Sequence, residues 1–450
     1  MRSYFYSSGR RQWSDFTFQT HVRESIKTFS RRSSDELSKM DTFLHAFCYQ
    51  ALDVTDCEGY KTLLETIQRG EEQLDIPENR MFYLSVAPEF VNDITLNIKE
   101  SGLGSTQGWR RLIIEKPFGH DLRSARELNQ KLSQGFEENE IYRIDHYLGK
   151  PMVQNLEALE LANPVIRTLW NNQHVANIQI TASETVGLEG RADYYDQAGA
   201  IRDMFQNHLL QLLMMTAMHL PEKGTPKEIS SEKIRIMESL RPPRKEDVVT
   251  NVIRGQYGPG EILGTRVVGY IDEPGIATSS TNDTFIAARL WLDDSFWQGV
   301  PFYIRTGKRM QEKSTRIVIE FKKISKEHYE SQREKIVPNL MIIQINPHEG
   351  VSLQLNMKNP LTNQIEPITV DFSSSSKNVP EVYELLLFDA LRGDSTFFAH
   401  WKEVELSWKW VQPVLDIFEE NSIPLYSYPS CSMGPGASDQ LLQEDGFNWW

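Results

Sequence analysis

The chain has 450 residues but only three cysteines, and it contains no run of 18 apolar residues. Cys48, Cys57 and Cys431 are too few for a disulfide framework and fit no metal-ligand spacing, so a reducing, cytoplasmic setting is expected and a metal is not. Without a long apolar run, no membrane span is expected. Excess positive charge is also lacking. The 48 Lys and Arg stand against 62 Asp and Glu, a net charge of −14, which argues against nucleic acid as a partner. An anionic ligand would therefore need a locally basic site. The first 40 residues are an exception, with eight Lys/Arg against four Asp/Glu and many Ser. They show no convincing amphipathic helix, and a transit peptide is not favoured.

A chain of this length exceeds what one core serves and predicts two domains, residues 1–150 and 151–450. Within 41–150, strand-like runs (MFYLSVA, RLIIE, IYRID) alternate with helical ones. GYKTLLETIQRGEEQL, EFVNDITLNIKESG closed by Gly102, and LRSARELNQKLSQGF capped by Asp121 are the helices. That alternation predicts an α/β, doubly wound parallel sheet. After Pro151 the grammar changes. PMVQNLEALELA reads as a helix with proline in its first turn, and a longer helix runs from about Tyr195 to His219. NIQITASE, NVIRGQY, TFIAARLWL, PFYIRTG, RIVIEF, LMIIQI, VSLQLNM and ITVDF then predict an α+β domain with a large, mostly antiparallel sheet.

Five stretches invite a chemical reading. GLGSTQG, Gly102 to Gly108, looks like a dinucleotide turn, but it follows a helix and precedes a strand, so it reads as a connector. EKPFG sits at the carboxyl end of RLIIE, where open α/β sheets bind ligands, and Lys116-Pro117 is a candidate cis bond. The alternative for Lys116 is a surface lysine in a tight turn. RIDHYLGKP, Arg143 to Pro151, enters a helix. His146, Tyr147 and Lys150, with the helix N-terminus, could cradle a phosphate, and Asp145 would orient a histidine. A solvated turn is the plain alternative. In IRDMFQNHLLQLLMM, α-helical spacing puts His208 on the buried stripe, as a core residue or as a desolvated base. The same spacing puts Asp203 about 140° round from it, at roughly 100° per residue. RTGKRMQEKSTR, Arg305 to Arg316, is a basic loop between two strands, either a charged hairpin tip or an anion site with Lys308 and Lys313 as donors.

In this order, IEKPFG, RIDHYLGK, RDMFQNH and VPFYIRTGKRMQEKST resemble the signatures of the glucose-6-phosphate dehydrogenase family, as do NRMFYLSVAPEF and the closing SMGP…DGFNWW. The resemblance covers the chain from about Gly9 onward. It implies oxidation of D-glucose 6-phosphate to 6-phospho-glucono-1,5-lactone with hydride transfer to NADP, the first step of the oxidative pentose phosphate pathway. It implies His208 as general base and Asp145 as the residue that orients it. His146, Tyr147, Lys150, Glu184, Asp203, Lys308 and Lys313 are then substrate contacts. Lys116 touches sugar and cofactor, and Arg10, Asp53 and Val54 touch the cofactor. A homodimer or homotetramer through the C-terminal sheet is implied as well.

The family pattern also opens with a strand and a Gly-rich turn, G-x-x-G-D-L-A, which this sequence does not contain. MRSYFYSSGRRQW stands where the second strand should be ending. The expectation is an incomplete Rossmann-like domain with a weakened grip on the cofactor's pyrophosphate. Two readings stay open: an NADP-dependent dehydrogenase whose start is recorded too late, and a truncated, inactive paralogue that binds sugar phosphate or serves as an oligomer partner.

Overall fold

The computed structural model describes residues 3–30, 39–220, 224–262, 264–323, 336–373 and 380–450. The chain divides into two compact units, Met1–Gly119 with Arg126–Arg143, and His120–Ala125 with Ile144–Trp450. The division therefore falls inside RIDHYLGKP, after its arginine.

In the first unit the short β-rich runs become β1 (Phe5–Gly9), β2 (Phe47–Ala51), β3 (Arg80–Leu84), β4 (Arg110–Glu115) and β5 (Ile141–Ile144). They form two sheets, one of β1 and β2 and one in the order β3-β4-β5. The pairs β1–β2 and β3–β4 are parallel. In the doubly wound strand order 3-2-1-4-5-6, a pair and a trio are what flank the first strand. The incomplete sheet expected from the sequence is thus found in two parts. They share one core: Tyr6 of β1 and Phe82 of β3 both pack against a buried cluster that includes Tyr60, Leu63, Ile94, Ile98 and Leu112. Arg80 donates to the carbonyls of Leu103 and Ser105, which makes GLGSTQG a packed connector. One element was not anticipated, a helix over Asp15–Phe29 that contains no buried residue. Its signal was Ser14, whose hydroxyl caps the Thr17 N–H.

The second unit is built on β6 (Val175–Ser183), β7 (Val252–Ile262), β8 (Thr265–Val267), β9 (Phe285–Leu290), β10 (Phe302–Gly307), β11 (Ser314–Phe321), β12 (Leu340–Asn346), β13 (Gly350–Lys358), β14 (Ile365–Ser373) and β15 (Leu425–Ser430). Their order is β14-β13-β12-β11-β6-β10-β9-β7-β15, with β8 on β7. Only β10–β6 and β15–β7 are parallel. Ile178, Ile180, Ile286, Ala288, Phe302 and Ile304 are wholly buried at its centre. The helix Leu210–Ala217 is buried at every residue. Its last carbonyls, Thr216 and Ala217, accept from the indoles of Trp170 and Trp297, each at 2.7 Å.

Two expectations about this unit need correction. The long helix from Tyr195 to His219 is three pieces: Ala192–Ala200, a π-helical Ile201–Leu209, and Leu210–Ala217. The break falls at Gly199, whose φ of +65° a helix cannot hold. RTGKRMQEKSTR is no hairpin tip. β10 and β11 do not pair with each other; both flank β6. The loop therefore crosses the carboxyl end of β6, where Glu184 stands.

Candidate active site

The turn after β5 and the π-helical segment meet in the second unit. Asp145 accepts from His208, Oδ1 to Nδ1, at 2.5 Å, and from the Tyr147 N–H at 2.9 Å. Both side chains are buried. Burial pushes the Asp145 carboxyl up, but the His208 ring and its hydrogen bond outweigh it and hold the carboxyl well below the usual range. The carboxylate fixes Nδ1 as the protonated ring nitrogen, which makes Nε2 the basic nitrogen of the neutral ring. Asp145 is thus hydrogen-bonded to a histidine 63 positions later in the chain.

Aromatic rings wall this pair. Tyr147 stacks on His208 with centroids 4.3 Å apart, and His146 meets the same ring edge-on at 4.4 Å. The Lys150 ammonium lies 3.8 Å from the Tyr147 ring centroid. Burial lowers the Lys150 ammonium to about 8, with Lys313 pushing the same way and Asp145, Glu349 and Glu184 opposing. Lys313 is exposed but close enough to act on Lys150. A lysine held in this way gains from any anion placed beside it.

Glu184 and Lys308 join across the end of β6, Nζ to Oε2 at 2.7 Å, with Lys308 almost wholly buried. The Lys308 ammonium also lies 4.9 Å from the Tyr195 ring. Asp203 is buried and acts electrostatically on Tyr147, as Asp145 and Glu184 do. Its placement corrects the α-helical expectation of 140°. A segment closed by i→i+5 bonds, such as Leu210 N–H to Phe205 O, turns less per residue, so positions 203 and 208 come closer to one face.

The helix N-terminus at Pro151 is not the phosphate cradle that was expected. Pro151 has no N–H, Val153 and Gln154 donate to Lys150 O, and Met152 donates to the Glu349 carboxylate. Glu349 and Tyr195 escaped the sequence reading because each is far away in the chain and lies in no distinctive motif, whereas Thr315, which bonds the Tyr147 hydroxyl, lies within RTGKRMQEKSTR but carries no charge to mark it. Asp145, His146 and His208 bring ligand atoms within 4.8 Å of one another. Asp145 Oδ1 and His208 Nδ1 are spent on each other, so the trio is poorly placed to close around a metal ion.

The remaining candidates lie in the first unit, at carboxyl ends of strands. Arg10 follows β1 and Asp53 follows β2, in a register that pairs Gly9 with Ala51. The Thr55 N–H and hydroxyl, with the Arg10 charge, hold the exposed Asp53 carboxyl below its usual range. Val54 O accepts from Asn97 at 2.9 Å. Lys116 follows β4, half-buried, at a cis bond to Pro117.

Comparison with known proteins gives a consistent result. Residues 2–155 match "Glucose-6-phosphate dehydrogenase, NAD binding domain", and residues 157–450 match "Glucose-6-phosphate dehydrogenase, C-terminal domain". The glucose-6-phosphate 1-dehydrogenase of Bacillus subtilis (strain 168) is 46% identical over 446 residues, 98% of this chain and 90% of that protein. That of Leuconostoc mesenteroides is 39% identical over 447 residues, 98% of this chain and 90% of its own. A solved glucose-6-phosphate dehydrogenase in complex with glucose-6-phosphate superposes with a TM-score of 0.90 at 32% identity, covering 99% of this chain and 91% of the other. The Mycobacterium avium enzyme superposes at 0.84 and 30% identity, with the same coverage.

Proposed function

The chain belongs to the glucose-6-phosphate dehydrogenase family, and on that premise we propose that it oxidises D-glucose 6-phosphate at C1 to 6-phospho-glucono-1,5-lactone, with NADP as acceptor. The observation that carries the site is the 2.5 Å contact between Asp145 and His208. His208 Nε2 takes the proton of the anomeric hydroxyl as the hydride leaves C1, and Asp145 stabilises the imidazolium that forms. Lys150, His146 and Tyr147 hold the phosphate, with Lys313 adding charge at the rim. Glu184, Asp203 and Lys308 hold sugar hydroxyls; the Lys308–Glu184 ion pair fixes two of these groups before the sugar arrives.

The first unit, within residues 1–150, is the cofactor half of this division of labour, and residues 151–450 serve substrate and self-association. Arg10, Asp53 and Val54 fit the adenosine end, where a guanidinium suits a 2′-phosphate, and Lys116 fits the end nearer the sugar. The run G-x-x-G-D-L-A is not among the residues. When bound, the cofactor supplies the acceptor for the C1 hydride.

The inactive-paralogue reading is not favoured, since the relatives that match 98% of this chain are themselves glucose-6-phosphate 1-dehydrogenases. Three free cysteines and a chain with no helix long and apolar enough to cross a membrane among its described residues support a cytoplasmic setting. The test is NADPH formation from glucose 6-phosphate by the purified chain. His208→Asn should lower kcat by about 10²–10⁴-fold; near-normal kcat would return His208 to a core role.

A further inference from the structure

We propose that Asp283 is a positioning residue for His208, its carboxylate anchoring the start of the segment that carries the base. This rests on reading His208 as the base. Gly199 breaks the preceding helix, and the chain restarts at Ala200. Two N–H groups at that restart turn to Asp283, and that of Ile201 also reaches Ala198 O. The Ala200 N–H donates to the Asp283 carbonyl at 2.9 Å, and the Ile201 N–H donates to Asp283 Oδ2 at 3.0 Å. One residue from the entrance to β9 thus caps the segment in place of a local cap. The contact is close. A Cβ on Gly199 would stand 2.5 Å from Asp283 Oδ1 and 2.7 Å from Asn282 Oδ1.

Residues 282–284 hold three pieces of the site at once. Asn282 donates to Tyr195 O at 2.7 Å, on the helix whose tyrosine lies over Lys308. Asp283 holds the segment of Asp203 and His208. Thr284 O accepts the Lys308 N–H at 3.0 Å. A π-helical run is a rare and weakly held form, so its register depends on such an anchor.

Arg202 and Arg254 face the Asp283 carboxyl, with the phenols of Tyr195 and Tyr428. Burial pushes that carboxyl up to about 6, against the Ile201 N–H and the two arginines. Its charge therefore changes within the range where the enzyme can be assayed. The ionised form makes the stronger, charge-assisted bond to Ile201. Stability runs the opposite way. A carboxyl raised from 3.8 to about 6 contributes stability present below 3.8 and lost as pH rises through 6. Acid thus weakens the anchor without weakening the fold through this group.

The experiment compares the full chain with Asp283→Asn, Asp283→Ala and His208→Asn, well below their unfolding midpoints, measuring kcat from pH 5 to 8. Asp283→Ala should lose about tenfold or more at pH 8, the scale of a displaced catalytic group. Asp283→Asn keeps an oxygen for Ile201 and should recover part of that loss. The ratio of wild-type to Asp283→Asn kcat should be largest at pH 8 and approach one at pH 5, where the wild-type carboxyl is itself neutral. Taking the ratio removes the titration of His208, which both proteins share. A ratio flat with pH, or wild-type kcat in Asp283→Ala, overturns the role of Asp283 while loss in His208→Asn leaves the base assignment standing. Normal kcat in His208→Asn overturns the base assignment instead.

Discussion

Tyr147 lies against the imidazole of His208, ring centroids 4.3 Å apart and planes 20° from parallel. The same ring carries the Lys150 ammonium at 3.8 Å. One side chain therefore touches both the imidazole and the ammonium.

Tyr147→Phe should separate the two roles of that ring. It keeps the stack on His208 and loses the hydroxyl that meets Thr315. KM for glucose 6-phosphate should rise by up to about tenfold, the value of one hydrogen bond, with kcat nearly unchanged. Tyr147→Ala removes the ring as well. It should cost about 3–5 kcal/mol in a urea titration and lower kcat too.

Asp145 gives a prediction with a definite pH sign. A carboxyl held below its unfolded value contributes stability that is present above that value and lost as pH falls through the folded one. For Asp145 the window runs from 3.8 down to about 2, and the contribution is about 2 kcal/mol. The urea midpoint of the wild type should therefore fall across that window relative to Asp145→Asn, which lacks the component. At neutral pH, Asp145→Asn should lower kcat by about 10²-fold or more, because an amide no longer enforces the base tautomer.

Much of this site was legible in the sequence because its groups sit in dense local motifs. Asp145, His146, Tyr147 and Lys150 fall within six residues, and strand-helix grammar placed them at a strand end. The large antiparallel sheet was legible from its succession of apolar runs, and the family from the motifs together. What failed was geometry that depends on distant partners. Gly199 breaks the long helix with support from Asp283, eighty-four positions later in the chain. The π-helical turns of 201–209 look like an ordinary helix to any count at 100° per residue. The basic loop looked like a hairpin because β6, which separates its strands, comes more than a hundred residues earlier. Glu349 took the helix N-terminus that seemed free for a phosphate.

Lys150 should report substrate binding as proton uptake. Its ammonium sits at about 8 in the free protein. A phosphate dianion beside it would restore the pKa toward about 10.4. At pH 8.5 binding should then take up roughly three quarters of a proton. Calorimetry in two buffers of different ionisation enthalpy measures this directly. Lys150→Met should abolish the uptake and weaken binding of the phosphorylated sugar far more than of glucose. Uptake unchanged in Lys150→Met would place the titrating group elsewhere.

The outer end of the large sheet is the place to test the proposed self-association, and its register says where to break it. Val351 pairs with Phe372, Leu353 with Val370, and Leu355 with Ile368 across β13 and β14. Alternation along each strand puts these six side chains on one face. Phe372, Val370, Ile368 and Leu355 are all exposed in the single chain. A contiguous apolar strip on a sheet face is costly in water, and a second copy of the same strip covers it symmetrically. Phe372→Asp would replace the most exposed of these side chains with a carboxylate, which pairing would bury without a partner. Sedimentation of the wild type should give a dimer or tetramer, and Phe372→Asp should shift it toward monomer at micromolar concentration. Because the site groups lie in the turn after β5, at the end of β6, in the β10–β11 loop and in the π-helical segment rather than on this strip, His208 and Asp145 should stay in contact in the variant. A wild-type oligomer unchanged by Phe372→Asp would move the contact to another surface.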